Sequence, residues 1–226
     1  MKHITAATMS EKENCPKGCD ASGSPGPFIG FYGLPVLLTY AGIVSAVIGI
    51  CTAFRGELVL SMVCLIVSGF CDMTDGTVAR SFSQRTEEEK SFGIQADSLA
   101  DSVSFVVLPV AISLGMGNDG PLSIAVYAFY VLAGLIRLGY FNVLASRSGI
   151  EYYTGLPVSA VCAAFPVIWI ARQFAEGLPV ALFDAAMVLM ALLFISRIRI
   201  NKLTRTGQAV LGALAAAGIA VILLLG

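Results

Sequence analysis

Asp72-Met-Thr-Asp75-Gly76-Thr-Val-Ala79-Arg80 and, twelve residues further on, Gly93-Ile-Gln-Ala-Asp97-Ser-Leu-Ala-Asp101 place four carboxylates between long apolar stretches. A carboxylate at the centre of a membrane helix costs about 3 kcal/mol unless it is paired or holds a cation, so four of them ask for a function. Residues three or four apart share a helix face. Asp72 and Asp75 therefore point one way from their helix, and Asp97 and Asp101 one way from the next. Two such faces opposed make an oxygen cage suited to a hard divalent cation, Mg²⁺ or Mn²⁺.

Composition sets the surroundings of that cage. The chain is 57% hydrophobic and 13% charged, with a mean hydropathy of +0.82. A soluble domain carries about 25% charged residues. Recurring apolar stretches predict an all-α, polytopic membrane helical bundle with about seven transmembrane helices, a six-helix core plus one. The expected segments are 34–54, 58–82, 92–115, 121–146, 155–175, 178–196 and 207–226. Residues 1–27 are polar and read as a disordered cytoplasmic leader, and residues 28–226 as a single transmembrane domain. Alternating strands of a β-barrel are absent. A formal net charge of −1 gives no reason to expect a nucleic-acid partner. Cys51, Cys64, Cys71 and Cys162 lie in or beside apolar segments and read as small buried hydrophobes, while Cys15 and Cys19 fall in the polar leader.

Charge orients the bundle. With the N-terminus in the cytoplasm and the segments alternating, twelve of the fourteen Lys and Arg residues lie inside, and only Arg55 and Arg172 outside. Residues 83–91, with Glu87-Glu88-Glu89-Lys90, then form a solvated cytoplasmic loop. The four aspartates sit at the cytoplasmic ends of segments two and three, in a multi-pass protein of the cell membrane. There they are within reach of a water-soluble substrate and of lipid together. Gly76, costly in a helix by about 1 kcal/mol, suggests close approach of a ligand or a helix. Arg80, one turn beyond it, suits a diphosphate. Arg137, mid-segment, either snorkels to the cytoplasmic surface or faces a polar cavity and binds an anion. Asn142, Tyr140 and Tyr152 are its candidate neighbours, and Ser98 and Ser102 flank the second aspartate pair.

Asp-x2-Asp-Gly-x2-Ala-Arg followed by Gly-x3-Asp-x3-Asp resembles the signature of the CDP-alcohol phosphatidyltransferases, with all eight fixed positions present. The spacing from Arg80 to Gly93 is longer than the family's usual eight or nine residues, which a longer loop accommodates. Phe92–Phe105, Gly134-Leu-Ile-Arg137-Leu-Gly-Tyr-Phe-Asn142 and Gly155-Leu-Pro-Val158 resemble the serine-transferring branch. Val106-Val107 departs from it, where a glycine is common. The resemblance covers roughly residues 36–200. It implies transfer of a phosphatidyl group from CDP-diacylglycerol to the hydroxyl of L-serine, with release of CMP. It implies that Asp72, Asp75, Asp97 and Asp101 bind metal and that Asp101 is also the general base. Gly76, Ala79, Arg80 and Gly93 would line the CDP pocket, and the family implies a homodimer. A phosphorylated acceptor such as glycerol 3-phosphate would call for more cations than Arg137 and Arg147 supply. A membrane prenyltransferase lacks the Asp-Gly-x2-Ala-Arg continuation, and a cation transporter would place its carboxylates near the bilayer midplane.

Overall fold

The computed structural model describes residues 30–81, 86–145, 153–175, 179–200, 217–222 and 224. The chain divides into a unit ending at Tyr32 and a unit beginning at Gly33. Only residues 30–32 of the first are described, so the expected leader 1–27, with Cys15 and Cys19, lies outside the described residues.

The second unit is a helical bundle. Helix α1 (Leu34–Phe54) carries Pro35 in its first turn, where a missing N–H is harmless. Thr39, Gly42, Ala46, Gly49 and Ala53 are buried along one face, three or four apart. This stripe of small residues lets α2 (Leu58–Ser81) lie close beside it after a tight turn at Gly56. The Ser68 hydroxyl donates to the Gly42 carbonyl at 3.0 Å, and the Ser45 hydroxyl to that of Cys64 at 3.0 Å. A Cβ on Gly49 would stand 2.8 Å from the Cβ of Cys64. Gly49→Ala is therefore expected to destabilise the fold by about 1–3 kcal/mol, read as a lower midpoint of thermal unfolding in detergent.

Helix α3 (Glu87–Asp101) begins five residues earlier than the expected segment. The Thr86 hydroxyl accepts from the Glu89 amide at 3.1 Å, and the Glu89 carboxylate accepts from the Thr86 amide at 2.8 Å. This capping box, with three glutamates against the positive helix end, makes a helical turn of what reads in sequence as loop. Lys90 pairs with Glu87 at 2.7 Å on the surface of that turn. After Asp101 the rod passes through a π-helical turn (Ser102–Val107) and continues as α4 (Leu108–Gly115). Helix α5 (Pro121–Ala145) follows.

The chain then forms β1 (Tyr153–Thr154), a 3-10 turn (Val158–Ala160), α6 (Val161–Phe174), α7 (Ala181–Ile195) and β2 (Arg199–Ile200). The two short strands pair antiparallel, Tyr153 with Ile200 and Thr154 with Arg199. Gly155 sits at φ +79° with its amide on the Ile198 carbonyl at 2.8 Å. A Cβ there would lie 2.6 Å from the Phe194 carbonyl oxygen, so the position requires glycine. This pairing and the bend at Gly155 keep residues 153–157 out of the helix. The fifth segment therefore becomes helical only at Val158, later than expected.

Among the described residues four helices are long and apolar enough to cross a membrane: Leu34–Phe54, Leu58–Val78, Glu87–Gly115 and Pro121–Leu144. The apolar helices over Val158–Phe174 and Ala181–Ile195 are shorter. At 1.5 Å per residue, α7 spans roughly 22 Å of a hydrocarbon layer about 30 Å thick. The expected seventh segment is described only at 217–222 and 224, where it is helical. Buried Phe105, Tyr130, Phe165, Phe183 and Met187 form the centre of the bundle, with the Phe165 and Phe183 rings edge-on at 5.2 Å. Leu122, Leu132, Leu135 and Ile136 of α5 are exposed, as lipid contact requires.

At the end away from the β pair, the Asn118 amide donates to one oxygen of Asp184 and the Ser123 hydroxyl to the other, both at 2.7 Å. These bonds tie the turn before α5 to the first turn of α7. They satisfy an acid in an otherwise apolar helix that the sequence reading does not single out.

Candidate active site

Helices α1, α2 and α3 converge on one small cavity, lined among others by Thr39, Asp72, Asp75, Asp97, Asp101 and Phe105. Asp72, Asp97 and Asp101 each offer a carboxylate oxygen, and the three atoms lie within 4.8 Å of one another. The local cause is the spacing: Asp97 and Asp101 share a face of α3, and Asp72 faces them from α2. Ser159, from the 3-10 turn, and Asp101 both stand within hydrogen-bonding reach of Asp72.

Asp75 lines the same cavity but stands outside the three-carboxylate group. It is 6% exposed, and its Oδ2 accepts from the Thr39 hydroxyl of α1 at 2.6 Å. The Pro35 carbonyl lies 3.3 Å from the same hydroxyl. A hydroxyl has one proton, and the nearer, charged acceptor takes it.

The donor set fits a hard divalent cation. All three atoms on offer are carboxylate oxygens. Opposite ligands of an octahedral Mg²⁺ lie about 4.2 Å apart, so small side-chain movements close the trio on one ion. Bringing three like charges together in an apolar bundle without a counter-charge is unfavourable.

Arg137 of α5 is the nearest buried cation among the described residues. It is 9% exposed, so it does not snorkel. Its guanidinium carbon lies 5.3 Å from the centre of the Phe141 ring, and its charge acts on Asp72, Asp97 and Asp101. Beside it the Ser98 hydroxyl donates to Asn142 Oδ1 at 2.7 Å, joining α3 to α5. Ser102 instead donates to the Leu99 carbonyl at 2.6 Å and does not face the carboxylates. Tyr140 is 54% exposed, and Tyr152 lies outside the described residues.

Gly76 has open space where a Cβ would be, with no atom within 4 Å. Among the described residues, no neighbouring side chain or backbone packs against that position. Gly93 is half-buried in α3. The backbone of Ala79 and Arg80 continues α2, and their side chains lie outside the described residues, as does Arg147.

Asp97 lies further along its helix than the sequence suggests, whereas Asp75 keeps close to its expected distance from the end of α2. Asp75 lies six residues before the last residue of α2, and Asp97 ten after the first of α3. At 1.5 Å per residue these are depths of about 9 and 15 Å. The early capping-box start of α3 is the reason for the greater of the two. Thr39 and Ser159 are the contributors that sequence reasoning missed. Ser159 directly follows the Gly155–Val158 stretch, whereas Thr39 is one hydroxyl in an apolar helix with no local signal.

Comparison with known proteins bears on this geometry. The CDP-diacylglycerol–serine O-phosphatidyltransferase of Helicobacter pylori is 33% identical over 180 residues, covering 76% of this chain and 73% of that protein. The archaetidylserine synthase of Methanothermobacter thermautotrophicus is 29% identical over 161 residues, covering 71% of this chain and 67% of that protein. The CDP-diacylglycerol–serine O-phosphatidyltransferase of Saccharomyces cerevisiae is 37% identical over 106 residues, covering 43% of this chain and 37% of that protein. The sequence profile of CDP-alcohol phosphatidyltransferases matches residues 32–198, which hold every described residue of the site. With most of its length matched, this chain belongs to the CDP-alcohol phosphatidyltransferase family.

Proposed function

We propose that the protein transfers the phosphatidyl group of CDP-diacylglycerol to the hydroxyl of L-serine, forming phosphatidylserine and CMP. The observation that carries this reading is the convergence of Asp72, Asp97 and Asp101 on one point beside the buried Arg137. Asp72, Asp97 and Asp101 would hold Mg²⁺ or Mn²⁺, with Asp75 contributing from the cavity wall. Bound there, such a cation would supply positive charge for the diphosphate and for the leaving CMP. Gly76, Ala79, Arg80 and Gly93 take the CDP moiety, and the open space over Gly76 gives it room.

Asp101 takes the proton of the serine hydroxyl. The freed oxygen attacks the phosphorus bearing the diacylglycerol, and the bond from that phosphorus to the CMP oxygen breaks. Arg137 receives the serine carboxylate. Two relatives from different kingdoms of lipid chemistry carry serine in their names, which supports the acceptor and leaves the tails open. The site lies in the half of the bundle that contains Ser159 and the β pair. Exposed Arg197, between α7 and β2, lies at that end, so positive charge favours a cytoplasmic mouth.

The test is CMP release by purified protein from CDP-diacylglycerol, offered serine, glycerol 3-phosphate or inositol in turn. Serine alone is expected to support turnover, and a chelator to stop it. Turnover with glycerol 3-phosphate instead would replace the acceptor, and no CMP with any of them would overturn the reading. Thr39→Val provides a finer check. Losing the hydrogen bond to Asp75 is expected to weaken Mn²⁺ binding about tenfold. A wild-type Mn²⁺ titration would show that the Thr39 hydroxyl does not tune the metal site.

A further inference from the structure

We propose that Tyr130 is a positioning residue for the carboxylates: its hydroxyl fixes the π-helical turn that sets Asp97 and Asp101 against Asp72. The inference rests on the metal-site reading above. The turn begins at Ser102, directly after Asp101, and its widened pattern is explicit where the Leu108 amide donates to the Val103 carbonyl, five residues back. Such turns inside α-helices concentrate at functional sites.

Pro109 follows, and it has no N–H to give the carbonyl four residues before it, that of Phe105. Within a bilayer an unmet carbonyl is expensive. Here the hydroxyl of Tyr130, from α5, donates to the Phe105 carbonyl at 2.5 Å. Tyr130 is fully buried and has no alternative partner in water. Ser104 and Phe105 line the cavity together with Asp72, Asp97 and Asp101, so this bond acts one turn from the carboxylates. Tyr130 also lies seven residues before Arg137, two turns along the same face of α5. One helix face thus holds both the backbone behind Asp101 and the cation in front of it.

Positioning and packing by Tyr130 are distinguishable by substitution. Tyr130→Phe keeps the ring and its contact with Phe194, 5.7 Å between centres, and removes only the hydroxyl. Mn²⁺ affinity of the detergent-solubilised full chain, followed by electron paramagnetic resonance, is expected to fall about tenfold in this variant. Pro109→Ala restores an N–H for the Phe105 carbonyl, so Tyr130→Phe is expected to cost less than twofold in that background. Phe194→Leu disturbs the packing around Tyr130 and not the hydrogen bond. It is expected to lower the unfolding midpoint while leaving the Mn²⁺ constant unchanged. Unchanged Mn²⁺ affinity in Tyr130→Phe overturns the proposal. So does an equal loss in both backgrounds, or a loss in Phe194→Leu matching that in Tyr130→Phe. If the unaltered protein binds no Mn²⁺, the metal-site reading fails first and takes this inference with it.

Discussion

Asp101→Asn is expected to reduce CMP release by about 10²–10⁴-fold while CDP-diacylglycerol binding stays measurable. Asparagine preserves the size and shape of the side chain, so the helix packing around this 8% exposed position is retained. What disappears is the proton acceptor and one negative charge of the trio. The comparison that assigns the role is Asp97→Asn, which removes a charge from the same trio. Both variants are expected to bind Mn²⁺ more weakly. Saturating Mn²⁺ should restore most of the turnover of Asp97→Asn and little of that of Asp101→Asn, because no concentration of metal replaces a base. Equal rescue of the two would make Asp101 a ligand only, and residual activity within tenfold of the parent would remove it from the mechanism.

What could be read from the sequence was what depends on local periodicity. The spacing of three in Asp72/Asp75 and of four in Asp97/Asp101 fixes which carboxylates share a face, and the structure keeps those faces. The boundaries of α1, α2 and α5 follow from apolar length and from the turns at Gly56 and Gly117. Residues 87–90 misled because charge density suggests solvent, and they are indeed at the surface. The Thr86/Glu89 capping box is itself a sequence pattern, and it turns that charge into a helix start.

Other features depend on partners remote in sequence. Thr39 meets Asp75 across 36 residues, and Tyr130 meets Phe105 across 25. The π-helical turn has only Pro109 as a local hint. A proline in a membrane helix can as well produce a kink, and which outcome occurs depends on the donor another helix brings to the freed carbonyl. The separation of Asp75 from the trio has the same origin. Helical spacing puts it on the same face as Asp72, and its carboxylate instead accepts from the hydroxyl of α1.

Arg137→Ala is expected to raise the KM for serine about 100-fold or more, with CDP-diacylglycerol binding preserved. A guanidinium that is 9% exposed within an apolar bundle needs counter-charge, and Asp72, Asp97 and Asp101 supply it. With the serine carboxylate as its further partner, truncating one side of that buried charge pair costs about 2–5 kcal/mol in binding, which at about 1.4 kcal/mol per tenfold is roughly one and a half to three and a half orders of magnitude. If Arg137 merely offsets the trio, deleting it leaves the serine KM alone and makes the site more attractive to cations, so Mn²⁺ binds more tightly. If it receives the serine carboxylate, the KM for serine rises while the KM for the CDP-lipid does not. Arg137→Lys sharpens the distinction, because an ammonium restores the charge without the planar two-pronged geometry that matches a carboxylate. It is expected to recover Mn²⁺ behaviour fully and serine KM only in part. Serine kinetics indistinguishable from the parent in Arg137→Ala would move acceptor recognition elsewhere, and the Ser98–Asn142 pair joining α3 to α5 would be the next place to look.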